Sequence, residues 1–210
     1  MLLRTKNLAD CAKEKAHRSP DDIAIYLENG EHIRYGSIFE EAMALAASLT
    51  QLGLRPGDVI SFQLPNWRET VAIDIAAVWL GLVINPVIPI YRDRELAFIL
   101  ADSRSRCLFI PGVYRGHDFP DMIERLMPQL PDLTYVISVR QDSDTCALLR
   151  YENLIAKANL SPVPQHVGAL IPPHIIMSTS SILISPLFTP LPSTYLLFLL
   201  LLSSFNSSPP

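Results

Sequence analysis

The distribution of charge along the chain limits what it can fold into more than any other feature. All 17 Lys and Arg residues and all 21 Asp and Glu residues lie at or before Lys157 in a chain of 210 residues. The last 53 residues carry no formal charge and hold nine of the 18 prolines. A folded domain keeps charged side chains on its surface, so we divide the chain into a part of globular composition and a tail that fits no standard soluble class. The predicted division is 1–166 and 167–210.

Composition excludes several classes of function for the first part. The net charge is −4, and basic residues are scattered or lie beside acids, as in Arg92–Glu95, so no nucleic-acid partner is expected. Cys11, Cys107 and Cys146 form no CxxC pair, which favours a reduced, cytoplasmic protein over a disulfide-built secreted one. The N-terminus lacks the apolar run of about seven or more residues of a signal peptide, and an amphipathic first helix is the simpler interpretation.

A β-hairpin is predicted near the start of the chain. Between Asp21 and Ile38, apolar residues alternate over two short runs. The pair Asn29-Gly30 separates the runs and suits a two-residue type I′ turn, in which both residues have positive φ.

Helices and strands alternate after this hairpin. Ser37 with Glu40, and Asn66 with Glu69, have the spacing of capping boxes, so each pair predicts the start of a helix. Gly81 suits the C-terminus of the second helix. Six further elements follow the same rules. The predicted helices are 38–52, 67–81, 93–102 and 119–127, and the predicted strands are 59–64, 106–110, 133–139 and a short strand within 82–90 that runs into a loop broken by proline.

This alternation predicts the fold class. Strands that are continuous apolar runs are typical of sheets covered on both faces. Helices of this length between them suit parallel crossovers. We therefore predict an α/β fold, an incomplete, doubly wound and mainly parallel sheet with an N-terminal hairpin, followed by an irregular apolar tail.

Local motifs assign no reaction to this chain. The phosphate-loop patterns GxGxxG and GxxxxGK[ST] are absent, as are HExxH and GxSxG. The five histidines have no metal-ligand spacing. We therefore assign no catalytic, cofactor-binding or metal-binding residue.

A longer stretch, Leu52–Pro111, carries a family resemblance through several ordered pieces. These are Pro56-Gly57-Asp58, Leu64-Pro65-Asn66, Gly81, Asn85-Pro86 and Glu95-Leu96. In this order they resemble the N-terminal region of the adenylate-forming superfamily, the AMP-dependent synthetases and ligases that include the acyl-CoA synthetases. The resemblance extends over about residues 5 to 165. We interpret the matched positions as turn and capping residues, not as ligands.

The resemblance implies a reaction and its cofactors. In this family a carboxylate attacks the α-phosphate of ATP to give an acyl-adenylate and pyrophosphate, and the thiol of coenzyme A then displaces AMP. The implied cofactors are ATP, Mg²⁺ and coenzyme A, and the implied partner is a small carboxylic acid. The family's phosphate loop and its C-terminal lysine come later in the chain than the stretch that matches here. We therefore expect a fragment that is truncated before the phosphate loop, binds none of these cofactors well and is inactive alone.

The tail contains one weak likeness to that missing loop. Ser178–Ser181 resembles the loop's beginning, but neither a glycine nor a lysine follows. Without glycine the backbone cannot approach a phosphate closely, and without lysine no cation neutralises it. The Leu, Ser, Pro and Phe content of the tail is what pyrimidine-rich noncoding or out-of-frame DNA would encode. We hypothesise that the native sequence ends near residues 166–171.

Two alternatives from other classes of function stay open. A membrane-tethered remnant would need a span of about 20 apolar residues. Tyr195–Phe205 has 11, and extension back to Ile182 takes in Pro186, Pro190 and Pro192. A membrane is therefore not expected. The second alternative is a non-catalytic module that associates with a full-length relative.

Overall fold

A computed structural model describes residues 6–27, 29–141, 148–158, 164–166 and 174–175. The first helix, α1, covers Leu8–Arg18 and begins with a capping box. The Asp10 amide donates to Asn7 Oδ1 at 2.9 Å, and the Asn7 amide donates to Asp10 Oδ2 at 3.2 Å. Each partner satisfies an amide that the helix itself leaves without an acceptor. The predicted first helix is confirmed.

The hairpin is confirmed, but its predicted turn is wrong. Strand β1 is Ile23–Tyr26 and strand β2 is His32–Arg34, paired antiparallel. The Leu27 amide donates to Glu31 O at 2.8 Å, which leaves a three-residue loop where we predicted two residues. Gly30 has φ +86°. A three-residue loop needs positive φ at one position only, and Gly30 supplies it.

The remaining elements follow the predicted alternation closely. After β2 come α2 (Tyr35–Gln51), β3 (Val59–Phe62), α3 (Arg68–Leu80), β4 (Val83–Pro86), α4 (Asp93–Asp102) and β5 (Cys107–Pro111). Then come β6 (Val113–Tyr114), β7 (His117–Asp118), α5 (Phe119–Leu126), a 3₁₀ turn (Met127–Gln129), β8 (Tyr135–Val139), β9 (Leu149–Arg150), α6 (Tyr151–Ala158) and β10 (His174–Ile175).

Two predicted helix caps are wrong. Helix α2 begins at Tyr35, before Ser37, because carbonyls of the turn between α1 and β1 accept from its first amides. Tyr35 N–H donates to Asp22 O at 3.0 Å, and Gly36 N–H donates to Pro20 O at 2.9 Å. Helix α3 has Trp67 at its N-cap in place of Asn66, with no side-chain cap. A tertiary or backbone acceptor has replaced the side-chain cap that local spacing suggested.

Six strands form one parallel sheet in the order β10-β4-β3-β5-β8-β9. The chain runs from β3 to β4 in one direction and then returns past β3 to β5 and β8. Helix α3 makes the first crossover, and α4 and α5 make the next two. Because right-handed crossovers in opposite directions lie on opposite faces, the sheet is doubly wound, as predicted.

The core lies on both faces of this sheet. On one face, Ile60, Phe62, Cys107 and Phe109 join the buried side chains of α2 and α3. On the other, Leu108 and Ile110 join those of α4 and α5. Burial on both faces explains why the strands are continuous apolar runs.

A polar cluster interrupts the core between β3, β4 and the end of α4. Asn85 Nδ2 donates to Ser61 Oγ at 2.8 Å and to Ser103 Oγ at 3.2 Å, and Ser105 Oγ contacts both serine hydroxyls. Asn85, Ser61 and Ser105 are almost completely buried. Buried polar groups are tolerated when they hydrogen-bond to one another, so Asn85 is a strand residue that anchors the turn after α4. Our assignment of Asn85 to turn or capping chemistry is wrong in this respect.

No helix within the described residues is both long and apolar enough to cross a membrane.

Candidate functional site

The carboxyl edge of the parallel sheet is the candidate site. In open α/β sheets, ligands bind outside the carboxyl ends of the strands, where the direction of winding reverses. Here the reversal falls between β3 and β5, which end at Phe62 and Pro111. The side chains that follow β3, β5 and β8 therefore decide what this edge can do.

An aromatic pair and a cation cover this edge. The Trp67 and Tyr114 rings meet edge to face, with their centroids 5.6 Å apart. The guanidinium carbon of Arg140, the residue after β8, lies 4.3 Å from the Trp67 ring centroid. A guanidinium over an indole is attracted by the ring's negative face. We call Trp67, Tyr114, Arg140 and Glu69 the edge cluster.

Glu69 orients the cation of the edge cluster. Arg140 Nε and Nη2 donate to Glu69 Oε1 and Oε2, both at 2.9 Å. The Arg140 amide also donates to Glu152 Oε1 of α6 at 2.9 Å. Arg140 adopts φ +55°, which costs a residue with a Cβ some backbone energy. The two-pronged ion pair, whose geometry matches the guanidinium fork, offsets that cost.

A second carboxylate extends the network into the helices. Tyr151 Oη donates to Glu41 Oε1 at 2.8 Å, and Arg68 Nη2 lies 3.3 Å from Glu41 Oε2. Burial, followed by the charge of Glu41, raises the pKa of Tyr151 well above its usual value. Tyr151 therefore stays a neutral hydrogen-bond donor. Helices α2, α3 and α6 are joined here by charge-assisted hydrogen bonds.

Gln63 holds the loop that follows β4. The backbone N–H of Gln63 donates to Phe109 O at 2.8 Å. The side-chain Nε2 of Gln63 donates to Ile88 O at 3.2 Å and to Tyr91 O at 2.9 Å. Arg92 Nη1 donates to Pro89 O at 2.8 Å in the same loop. This loop presents Ile88 and Ile90 to solvent from a backbone whose carbonyls are held in place. The side chain of Gln63 is thus a structural clamp.

The N-terminus of α3 opens onto this edge. Helix N-termini attract anions because their first amides point outward. Here Glu69 supplies the acidic side chain of the first turn, and Arg140 pairs with that carboxylate.

Other positions that carry the family resemblance lie in a turn and at a helix end. Arg55–Asp58 is a turn in which Gly57 has φ +91° and the Arg55 amide donates to Asp58 Oδ2 at 2.7 Å. Asp58 also pairs with Arg106 at 2.8 Å, which ties this turn to the start of β5. Gly81 ends α3 in the left-handed conformation. The turn and helix-end interpretations of Gly57 and Gly81 agree with this geometry.

Within the described ranges, no group of three or more His, Cys, Asp or Glu residues could hold a metal ion. The charged groups of the edge cluster pair with each other, so they are not directed toward a ligand. No step through ATP or Mg²⁺ is therefore derived from these residues.

Several predictions fall on residues outside the described ones. These are the phosphate-loop likeness at Ser178–Ser181, the hypothesised end of the native sequence near residues 166–171 and the apolar run Tyr195–Phe205. The absence of catalytic, cofactor and metal residues stays a prediction.

Sequence reasoning missed the edge cluster. Glu69 was assigned to a capping box, and Arg140 was not singled out. Their pairing joins positions 71 residues apart, which no local spacing can reveal. The one available signal was a lone Arg directly after a buried strand.

Comparison with known families identifies the sequence. A sequence model of the family described as AMP-binding enzyme matches residues 12–176, which is most of the chain and includes the whole sheet.

Curated relatives agree with that match. A medium-chain fatty-acid–CoA ligase of Escherichia coli (strain K12) is 31% identical over 150 residues, covering 71% of this chain and 26% of the relative. A 2-hydroxy-7-methoxy-5-methyl-1-naphthoate–CoA ligase of Streptomyces carzinostaticus is 28% identical over 142 residues, covering 66% of this chain and 25% of the relative. The chain thus spans about a quarter of the length of these relatives.

Solved structures share the fold. MbtA of Mycobacterium smegmatis, in its apo form, superposes with a TM-score of 0.69 at 25% identity, over 85% of this chain and 32% of that one. An anthranilate CoA ligase in complex with anthranoyl-AMP superposes with a TM-score of 0.66 at 20% identity, over 79% of this chain and 31% of that one.

Proposed function

Because the chain belongs to the family of AMP-binding enzymes, we propose that it forms the N-terminal sheet of an ATP-dependent ligase that joins a carboxylic acid to coenzyme A. The family match over residues 12–176 carries this proposal. Relatives named as ligases of fatty and aryl acids support the substrate class, a small carboxylic acid.

The proposed reaction is the one that the family resemblance implies. The carboxylate would displace pyrophosphate from ATP and form an acyl-adenylate, and the coenzyme A thiol would then displace AMP. Such chemistry needs cations and amide donors around the phosphates, and Mg²⁺ would supply part of that positive charge. These groups would come from parts of the enzyme other than the described residues.

The contribution of this sheet would be positional. Its edge cluster is closed by its own ion pairs and ring contacts, and Gln63 fixes the loop beside it. A rigid sheet edge of this kind can position loops from neighbouring segments of the enzyme, and those loops would carry the catalytic groups. We propose that residues 6–175 support catalysis and do not form acyl-adenylate alone.

A chimeric enzyme tests this proposal. Residues 12–176 would replace the matching region of the Escherichia coli medium-chain ligase, and formation of octanoyl-CoA would be measured with ATP, Mg²⁺ and coenzyme A. We expect the chimera to form octanoyl-CoA and the 210-residue chain alone to form none. A matched chimera with Trp67→Ala and Arg140→Ala should lose most of the activity.

Either of two results would contradict the proposal. A folded chimera without activity, whose folding is confirmed by circular dichroism, would show that this sheet cannot replace that of a ligase. Turnover by the 210-residue chain alone would show that it carries a complete site.

Association with a full-length relative is a second proposal. Strands β9 and β10 lie at the two edges of the described sheet. Sheet edges are the surfaces on which another chain can add a strand. Co-elution of the chain with the Escherichia coli ligase in size-exclusion chromatography would support this proposal, and separate elution would contradict it.

A further inference from the structure

The loop of the hairpin between β1 and β2 contains the pair Asn29-Gly30, and both residues are exposed to solvent. The backbone N–H of Glu31 donates to Asn29 Oδ1 at 3.1 Å. A hydrogen bond from the backbone two residues later to an asparagine side chain is an Asx turn. It folds the side-chain amide of Asn29 back over the peptide bond that joins Asn29 to Gly30. The amide carbon Cγ of Asn29 is therefore held beside the backbone nitrogen of Gly30.

The same hydrogen bond makes the Asn29 amide more reactive. Donation by the Glu31 N–H polarises the bond between Cγ and Oδ1 of Asn29. It also stabilises the negative charge that develops on Oδ1 when a nucleophile attacks Cγ. The nearest backbone nucleophile belongs to the next residue of the same chain, so the attack is intramolecular and loses little entropy.

Gly30 leaves its own nitrogen open to this reaction. Glycine has no Cβ to hinder the close approach of its backbone to another group. The space beside Gly30 is also open, because a Cβ built there would meet no heavy atom of the described residues within 4 Å. The Gly30 N–H donates to Leu27 O at 3.0 Å, and this proton must leave before the nitrogen can attack. Hydroxide from solvent can remove it, since the residue is exposed.

We propose that Asn29-Gly30 is a site of covalent self-modification, at which the side-chain amide of Asn29 is lost as ammonia. The Gly30 nitrogen gives up its proton to hydroxide and forms a C–N bond with Asn29 Cγ. The side-chain nitrogen takes a proton from water and leaves as ammonia, so a succinimide remains. Water then opens the succinimide at either carbonyl, which gives an aspartate or an isoaspartate at position 29. The net change replaces NH₂ by OH and adds one negative charge, with no oxidant or reductant.

The isoaspartate product alters the hairpin. In that product the main chain passes through the Cβ of residue 29, so the loop is longer by one backbone atom. Loop length fixes the register of a hairpin. The pairs Ile25–Ile33 and Tyr26–His32 lie next to this loop, and Ile25 and Ile33 pack against the core. The hairpin is a two-stranded sheet of its own, so the parallel sheet keeps its pairing.

Peptide mapping by mass spectrometry on the full chain tests the proposal. The folded protein would be incubated in mildly alkaline buffer, and the deamidated fraction at each asparagine would be followed over time. Asn66 is the internal control, because it is also exposed but precedes Trp67, whose side chain hinders attack. We expect deamidation at Asn29 to be at least about tenfold faster than at Asn66. A rate at Asn29 equal to or below that at Asn66 would overturn the proposal.

Two substitutions of Glu31 test the contribution of the Asx turn. Glu31→Pro removes the N–H that donates to Asn29 Oδ1, whereas Glu31→Gln keeps that N–H and removes only the charge. Glu31→Pro should slow deamidation at Asn29 by about three- to tenfold, the effect of one lost hydrogen bond, and Glu31→Gln should change it by less than about twofold. Equal rates in the two variants would overturn the activation of Asn29 by this turn.

Hydrogen–deuterium exchange tests the effect on the hairpin. The extra negative charge allows the deamidated chains to be separated from the unmodified chain by anion exchange. The isoaspartate form should exchange faster than the unmodified chain in peptides covering residues 23–34, and equally in peptides covering β3 and β5. Equal exchange over residues 23–34, or a rise that extends to β3 and β5, would contradict a local effect on the hairpin.

Discussion

Arg140 donates two parallel hydrogen bonds, each 2.9 Å long, to the carboxylate of Glu69, although the residues lie 71 positions apart. The Glu69 side chain is only 7% exposed, whereas that of Arg140 is 43% exposed. The pair ties the end of β8 to the start of α3. It therefore determines how the carboxyl edge of the sheet is closed.

Removal of this cation should destabilise the fold. Arg140→Met leaves a buried carboxylate that has lost its two-pronged partner, which should lower the free energy of unfolding by about 2 kcal/mol. Urea denaturation followed by circular dichroism measures this. Arg125→Met is the control, because the Arg125 ion pairs with Asp93 and Asp121 are exposed and should contribute little to stability. An equal decrease in the free energy of unfolding in the two variants would mean that the Arg140–Glu69 pair contributes no more than an exposed ion pair.

A glycine at position 104 should stabilise the protein. Arg104 follows α4 with φ +51°, a conformation that costs a residue with a Cβ about 1–2 kcal/mol. Glycine removes this cost but adds about 0.4–1 kcal/mol of unfolded-chain entropy, so Arg104→Gly should gain roughly 0.5–1 kcal/mol. The shift of the urea midpoint measures the gain. Arg104→Ala keeps the Cβ and should gain nothing; an equal gain there would point to the lost charge as the cause.

Asp74 should make stability fall as the pH rises. Burial raises the pKa of this carboxyl from its ordinary 3.8 to about 7. Between these values the folded state binds a proton that the unfolded state has released. The free energy of unfolding should therefore fall with increasing pH by up to about 1.4 kcal/mol per pH unit.

Asp74→Asn should remove this part of the pH dependence, as measured by urea denaturation from pH 4 to 8. Asp132→Asn, at an exposed position, is the matched control and should retain the slope. If the slope is the same in both variants, Asp74 is not its source.

The two described cysteines should differ in thiol reactivity. Cys11 is exposed on α1, whereas Cys107 is buried in β5, where burial raises the pKa of its thiol well above the usual range. Because the thiolate is the reactive form, a maleimide should modify Cys11 rapidly and Cys107 only after unfolding. With Cys146→Ser as background, intact mass should show one adduct in buffer and two in urea. Two adducts in buffer would mean that β5 opens readily.

Local sequence determined most of the elements. Helix α4 has the predicted bounds Asp93–Asp102, and α5 begins at the predicted residue, with Asp118 Oδ1 accepting from the Asp121 amide at 3.0 Å. The apolar runs indicated strands covered on both faces. These properties depend on neighbours within one turn or one strand, so they can be read from the chain directly.

Tertiary structure decided the helix starts and the turn. Tyr35 begins α2 because carbonyls at Pro20 and Asp22 reach its first amides, which makes Ser37 unnecessary as a cap. The buried side chain of Asn85 has hydrogen-bond partners because Ser61 of β3 and Ser103 at the end of α4 lie beside it. The first amides of a helix can bond to an acceptor in another element as well as to a local side chain. The sequence does not show which of the two acceptors will be closer.

The sequence by itself determined the family, the α/β alternation and the order of the elements, because these depend on residue type and local spacing. Only the tertiary structure decided two sets of contacts. One is the ion pair of Arg140 with Glu69 in the edge cluster, and the other is the packing of Trp79 against Pro164 and His166. Those contacts join residues 71 and 85 positions apart. Their formation depends on strand order and helix packing, which bring distant side chains within hydrogen-bonding distance only after the sheet has assembled.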